Sequence, residues 1–202
     1  MRDIDVTSLA GPILETDTAT IQADRVLPLV RVRRPSPSHS SRSGATPRLI
    51  VVHSSEGSNV AGLGDLAALG SWFADAANEV SAHVATDAEG TSARFVAHDD
   101  KAWHCMRYNA MSLGIEQIGR ASQTSWPALQ QHETARWIAY WSRKYAIPIQ
   151  HGAVAGGRVT RAGVVRHSDL GTLGGNHSDP GRGYPLANVL ALAQRYRRRQ
   201  TS

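Results

Sequence analysis

His53 closes the apolar run Leu49-Ile-Val-Val-His53, and His167 and Asp179 bracket the segment His167-Ser-Asp-Leu-Gly-Thr-Leu-Gly-Gly-Asn-His-Ser-Asp179. Two imidazoles and one carboxylate are donors suited to zinc. Three protein ligands leave a tetrahedral ion one open position, which separates a hydrolytic centre from a closed structural one. Nine histidines occur in 202 residues, so some pairing arises by chance, and a histidine taken singly is more often a hydrogen-bonded core or surface residue than a ligand. Setting distinguishes these three. His53 lies where a buried strand runs out into a loop, the place where α/β folds assemble sites, and His167 follows a second apolar stretch, Ala162-Gly-Val-Val165.

Two further groups carry chemistry. His177 and Asp179 stand two apart between Gly174-Gly175 and Pro180-Gly181, a context that opposes helix, so in extended backbone both side chains point the same way. Asp179 is the better hard ligand, which leaves His177 to donate a hydrogen bond toward an oxygen gaining negative charge. On spacing alone, an Asx-type turn at Asp-Pro-Gly competes equally for Asp179. Glu116 is a lone carboxylate inside the apolar run Ser112-Leu-Gly-Ile-Glu-Gln-Ile118. Desolvation there would raise its pKa and a nearby cation would oppose the rise, giving a group able to shuttle a proton. The plainer reading has it facing solvent or pairing with an arginine.

These residues need a scaffold. Residues 49–53 read as a fully buried strand, 61–77 as a helix carrying Leu66, Leu69, Trp72, Phe73 and Ala76, and 81–86 as a second strand. Short strands follow at 94–97, 102–104 and 112–118. Residues 130–145 form the clearest helix, with Ile138, Trp141 and Tyr145 on one face and Pro148 just beyond its end. A last helix starts near Pro185, with Leu186, Val189, Leu190, Ala193 and Tyr196 along one side. The expected fold is a single α/β domain, a central mixed β-sheet flanked by helices, with the metal site at one sheet edge. Residues 35–47 are rich in Ser and Pro with little to bury and read as a flexible linker. The expected division is therefore residues 1–46 as N-terminal extension and linker, and residues 47–202 as the zinc-binding domain.

Composition narrows the classes. A hydrophobic share of 41% over this length supports one good core, and no run approaches the ~20 apolar residues of a membrane span. Neither a secretory signal nor a twin-arginine signal is visible, since Arg33-Arg34 is followed by Pro-Ser-Pro. Cys105 is the single cysteine, so no intrachain disulfide can form, and its apolar context favours a small buried side chain over a ligand. The net charge of +5 favours contact with polyanions. Without interleaved aromatics, nucleic acid is not the expected partner.

Taken in order, Val51-Val-His53-Ser-Ser, Val80-Ser-Ala-His83, Ala102-Trp-His104 with Asn109, Ser112-Leu-Gly-Ile-Glu116, Val165-Arg-His167-Ser-Asp-Leu-Gly171 and His177-Ser-Asp-Pro-Gly181 resemble the zinc-dependent N-acetylmuramoyl-L-alanine amidases of the type 2 group. Their fold is shared by phage lysozyme-type amidases and peptidoglycan recognition proteins. The ordered set is far more specific than any single motif. The resemblance implies Zn2+ held by His53, His167 and Asp179, Glu116 as general base, His177 polarising the scissile carbonyl, and Trp103, His104 and Asn109 as substrate-binding groove wall. A packed Trp and a capping Asn are competing readings of that wall. Some relatives place a Cys where Asp179 stands, and others carry a Tyr where this chain has Ala82, which puts more weight on Glu116. The implied function is peptidoglycan hydrolysis between N-acetylmuramic acid and L-alanine by a phage or prophage endolysin. Such a protein is made in the cytoplasm, reaches the wall through a phage-encoded pore, does not insert in the membrane, and acts as a monomer aided by anionic wall polymers. The competing functions are a non-catalytic peptidoglycan-binding module and a zinc peptidase cutting within the stem peptide.

Overall fold

A computed structural model describes residues 25–58 and 64–200. Among them run the strands β1 (Val30–Arg33), β2 (His39–Ser41), β3 (Leu49–Ser54), β4 (Val84–Thr86), β5 (Ser92–Arg94), β6 (Asp100–Ala102), β7 (Ser112–Gln117), β8 (Ala153–Ala155), β9 (Arg158–Arg161) and β10 (Gly163–Arg166). The helices are α1 (Gly64–Ala74), α2 (Ala128–Tyr145) and α3 (Leu186–Arg199), with short 3-10 turns at Met106–Met111 and His167–Leu170.

Six strands form the central sheet in the order β1-β5-β4-β7-β3-β10. Only the β4–β5 pairing within it is antiparallel, so the sheet is mixed, as its sequence suggested. β3 is buried at every position, which is why it reads as an unbroken apolar run rather than an alternation. Its two faces nevertheless differ. Ile50 and Val52, with Leu113 and Ile115 of β7, pack on Trp137, Ile138 and Trp141 of α2 and Val189 and Ala193 of α3. Leu49 and Val51 face the other way, against Tyr108, Val165 and Leu170. Because strand side chains alternate, His53 continues the Leu49–Val51 face. Parallel pairing sets Glu116 directly beside His53, so both side chains emerge on the same side of the sheet.

The ends of α2 follow local rules. Pro127 stands at its N-cap, Ala146 ends it in the left-handed region, and Arg143 and Lys144 occupy its last turn, where cations favour the helix dipole. In α1, Leu66 and Phe73 are buried while Trp72 is 56% exposed. The start of the helix expected over 61–77 lies outside the described residues.

Residues 35–47 depart from the linker expected there. β2 pairs with β6, Ser36, Ser38 and Arg42 are buried, and just upstream β1 extends the central sheet beside β5. The stretch is held by polar contacts. Ser36 Oγ donates to the Phe73 carbonyl, Ser81 Oγ donates to the Ser38 carbonyl at 2.6 Å, and Arg42 donates to the Ala110 carbonyl at 2.7 Å. Short polar segments can thus be buried at little cost when their donors and acceptors find partners inside the protein. Further upstream, buried Glu133 of α2 pairs with Arg25 at 2.6 Å and accepts from the Leu29 N–H and from Ser92 Oγ. Residues 25–46 therefore belong to the same folded body as the sheet and helices downstream of them. Residues 1–24 of the expected extension lie outside the described residues.

Candidate metal centre and cleft

The carboxyl ends of β3 and β10 lie side by side, since Val52 pairs with Arg166. One residue further along each strand stand His53 and His167, brought to adjacent positions by parallel register alone. Asp179 reaches them from the loop before α3. That loop is pinned where Ser168 N–H donates to the Asp179 carbonyl at 3.0 Å, and the Asp179 carboxylate accepts from the Ser54 N–H at 3.3 Å.

The three donors form a tight triangle. His53 Nδ1 lies 3.0 Å from His167 Nδ1, His167 Nδ1 lies 3.0 Å from Asp179 Oδ1, and His53 Nδ1 lies 3.5 Å from Asp179 Oδ2. All three residues are buried. A tetrahedral ion with ligands at about 2.0–2.1 Å requires donors about 3.3 Å apart, so the spacing fits zinc. Tautomer chemistry makes the fit stronger. His167 Nε2 lies 2.8 Å from the Gly174 carbonyl, which can only accept. The Nε2 proton is thereby committed, and in neutral His167 the Nδ1 lone pair is aimed at a carboxylate, an arrangement resolved by a shared cation or proton.

The surrounding electrostatics agree. Burial pushes the His53 imidazole down to about 4, against the Asp179 hydrogen bond that would raise it, so His53 is a neutral donor at physiological pH. Burial would raise Asp179, but a proton carried on a facing imidazole Nδ1, in the place a bound cation would take, outweighs it and holds the carboxyl well below its ordinary range. Glu116 behaves oppositely. Burial, then the charges of Asp179 and Glu56, push it up to about 8, and its Oε2 is enclosed without a partner among the described residues. A buried acceptor in a native fold is ordinarily paired, which leaves this oxygen free for a group in the cleft.

His177 stands at the rim, 56% exposed at its side chain, with Nδ1 3.5 Å from Asp179 Oδ1. Its ring stacks on that of His167 at 4.1 Å. The cleft, of about 550 Å³, is lined by His53, Glu116, His167, His177 and Asp179 together with Trp103, His104 and Asn109. All eight residues singled out in the sequence thus converge.

The three expected wall residues are not alike. Trp103 is partly exposed, and its Nε1 donates to Ser40 Oγ at 3.3 Å. Asn109 Oδ1 accepts from the backbone N–H of His104 and of Cys105, at 3.0 and 2.7 Å, which is the capping arrangement. His104 is only 8% exposed, and its nitrogens turn inward, Nδ1 lying 2.9 Å from His53 Nε2 and Nε2 3.1 Å from Ser112 Oγ. Cys105 is a buried thiol, pushed up to about 12 by burial. Ala82 is fully buried in the apolar cluster with Leu66 and Phe73.

Two further groups at the site, Glu56 and the Gly174 carbonyl, stand out little or not at all in the sequence. Glu56 accepts from Ser54 Oγ at 2.6 Å and from the Ala121 N–H at 3.0 Å. Its place three residues after His53 in a Ser-Ser-Glu loop was an available signal, whereas a main-chain carbonyl leaves none.

The profile of the N-acetylmuramoyl-L-alanine amidase family matches residues 43–182. The chain belongs to this family. N-acetylmuramoyl-L-alanine amidase A of Achromobacter lyticus is 28% identical over 164 residues, covering 78% of this chain and 88% of the relative. Among solved structures, a selenomethionine derivative of AmpD superposes with a TM-score of 0.61 at 24% identity, covering 80% of this chain and 93% of the other. Staphylococcus aureus hydrolase AmiA, in complex with its ligand, gives a TM-score of 0.64 at 15% identity, with 95% of each chain covered. The Clostridium intestinale endolysin LysCS gives 0.57 at 19%, covering 82% and 95%. These likenesses place the central sheet and its flanking helices within the α/β fold of the family.

Proposed function

We propose that this chain is a zinc-dependent N-acetylmuramoyl-L-alanine amidase, hydrolysing the amide between the lactyl group of N-acetylmuramic acid and L-alanine in peptidoglycan. The observation that carries the reading is the triangle of His53, His167 and Asp179, spaced for one tetrahedral ion and opening on a cleft in a chain of the amidase family. Zinc, when bound, supplies Lewis acidity at the position these three side chains leave free, lowering the pKa of water from 15.7 toward about 7. Glu116 accepts the proton of the attacking water at its unpartnered Oε2. A carboxyl standing near neutrality can then return that proton to the departing alanine nitrogen as the carbon–nitrogen bond breaks. His177 has its Nδ1 edge turned to Asp179 and its side chain largely exposed, and in the form protonated at Nε2 that nitrogen would donate to the carbonyl oxygen as it gains charge. Trp103 and the loop capped by Asn109 form the wall against which the stem rests.

The cellular role in this reading is that of an endolysin, made in the cytoplasm and admitted to the wall through a pore. Solved endolysins share the fold, and among the described residues no helix is long and apolar enough to cross a membrane. The net charge of +5 would draw the protein to anionic wall polymers.

Digestion of purified peptidoglycan, with and without chelator, followed by mass spectrometry tests the chemistry. A new free L-alanine amino terminus, lost on chelation, is the expected product. A cut inside the stem peptide would make the protein a peptidase, and no product would make it a binding module. Lysis of an expressing culture only when a pore-forming protein is co-expressed is the result expected for an endolysin.

A further inference from the structure

We propose that His104 is a positioning residue, the link through which Ser112 and the Tyr108 carbonyl fix His53 in the tautomer that presents Nδ1 to the metal. The inference rests on the reading of His53 as a ligand, and assigns to His104 a task other than forming the groove wall.

The chain of hydrogen bonds begins at a group with no choice. The Tyr108 carbonyl can only accept, and Ser112 Oγ lies 2.8 Å from it, so the hydroxyl proton is spent there. Ser112 Oγ then has only lone pairs to offer His104 Nε2 at 3.1 Å, and His104 must be the donor. A neutral imidazole has one N–H, so His104 Nδ1 is left as an acceptor. His53 Nε2, 2.9 Å away, must donate to it. His53 Nδ1 then keeps its lone pair, and it faces His167 Nδ1 at 3.0 Å. Two proton assignments, one through His104 and one through the Gly174 carbonyl, thereby leave both imidazoles ready for a cation at the same point. Cys105 Sγ, 3.2 Å from Ser112 Oγ and 3.7 Å from His104 Nε2, is a protonated thiol and only a weak donor.

Packing holds the ring in this pose. His104 lies flat against β7 at Gly114, where an added Cβ would stand 2.8 Å from Nδ1 and 2.9 Å from Cγ. No larger residue fits while the ring stays in place. Asn109 restrains the backbone at the same point by accepting from the His104 N–H. With both ring nitrogens engaged inside the protein, none is left for substrate.

The test is equilibrium zinc affinity, measured on the metal-stripped full chain by competition with a chromogenic chelator, so that no turnover is needed. His104→Leu should weaken zinc binding about 10–100-fold. His104→Asn, whose Oδ1 falls where Nδ1 stands and can still accept from His53, should restore most of that loss. A His104→Leu affinity equal to that of the unaltered chain, or an Asn variant no better than Leu, overturns the proposal. Nitrogen-15 spectra of the unaltered protein provide a measurement independent of how the variants fold. They should show His104 protonated at Nε2 and His53 at Nε2, and the reverse tautomer at His104 overturns the proposal. An unaltered chain that binds no zinc brings down the ligand reading itself, a distinct result from zinc binding that ignores His104.

Discussion

Replacing Glu116 by Gln should abolish amide cleavage and, in the metal-free protein, should make the fold more stable as the pH rises. Glu116 has an ordinary pKa of 4.5 and stands at about 8 in the folded chain, first because of burial and then because Asp179 and Glu56 lie near. Below 4.5 the carboxyl is protonated whether the chain is folded or not, and it contributes nothing. Between 4.5 and about 8 the unfolded chain releases the proton and the folded chain retains it. Stability therefore falls by about 1.4 kcal/mol for each pH unit. Across the whole interval the loss reaches about 5 kcal/mol at most, and partial exposure of the side chain reduces it to about 2–4 kcal/mol. Gln has the same shape and no proton to lose, so the difference between the two proteins isolates this one group, while the titrations of His53 and Asp179 largely cancel. Urea unfolding in the presence of chelator, at pH 5, 7 and 8.5, reads it directly. The variant should match the unaltered chain at pH 5 and exceed it at pH 8.5. Zinc should narrow the gap, because a nearby cation favours the ionised carboxyl. A stability difference that does not change with pH would refute the account of Glu116 as a desolvated acid.

Three other perturbations probe the same geometry. Asp179→Asn removes the one anionic donor of the triangle, and chelator competition should show a loss of zinc affinity beyond the roughly 100-fold that an outer hydrogen-bond change produces. A chain begun at residue 47 lacks Arg25 and the Leu29 N–H, two of the partners of Glu133, which keeps Arg136 and the Ser92 hydroxyl. It should unfold at a lower urea midpoint, about 1–3 kcal/mol less stable than a chain begun at residue 25 from the lost charged hydrogen bonds, and equal midpoints would return residues 25–46 to the status of a linker. Wall lysis should drop steeply as salt shortens the screening length from about 10 Å at 0.1 M to about 3 Å at 1 M, and salt-independent lysis would remove the attraction to anionic polymers.

The parts of the fold legible in the sequence are those held by apolar contact. β3 is buried on both faces, so its apolar positions and the histidine after them stand out as a run, and α2 and α3 show their periodicity because each buries one stripe. The stretch around β2 was not legible for the opposite reason. Ser36 and Arg42 are buried while donating to the carbonyls of Phe73 and Ala110, and the Ser38 carbonyl is buried while accepting from the Ser81 hydroxyl. Composition cannot distinguish a satisfied serine from a solvated one. The β8–β9 hairpin was within reach. Gly156-Gly157, both at positive φ, join its two strands, and Gly-Gly between short runs is a hairpin signal.

The residues proposed as metal ligands and base were legible because His53, His167 and Glu116 are chemically distinct residues at the end of, or inside, an apolar strand, and parallel register does the rest. His53 meets His167 through the β3–β10 pairing and Glu116 through the β3–β7 pairing, so one central strand carries both relationships. His104 was legible as part of the site and illegible in its task. Trp103 and His104 are consecutive in sequence, yet one lines the cleft partly exposed and the other turns both nitrogens inward toward His53 and Ser112. What separates them is contact across 51 positions of chain and the absence of a side chain at Gly114. A glycine inside a buried strand weakens that strand, so its presence in β7 is explained by what it admits: the His104 ring, proposed to set the proton on His53.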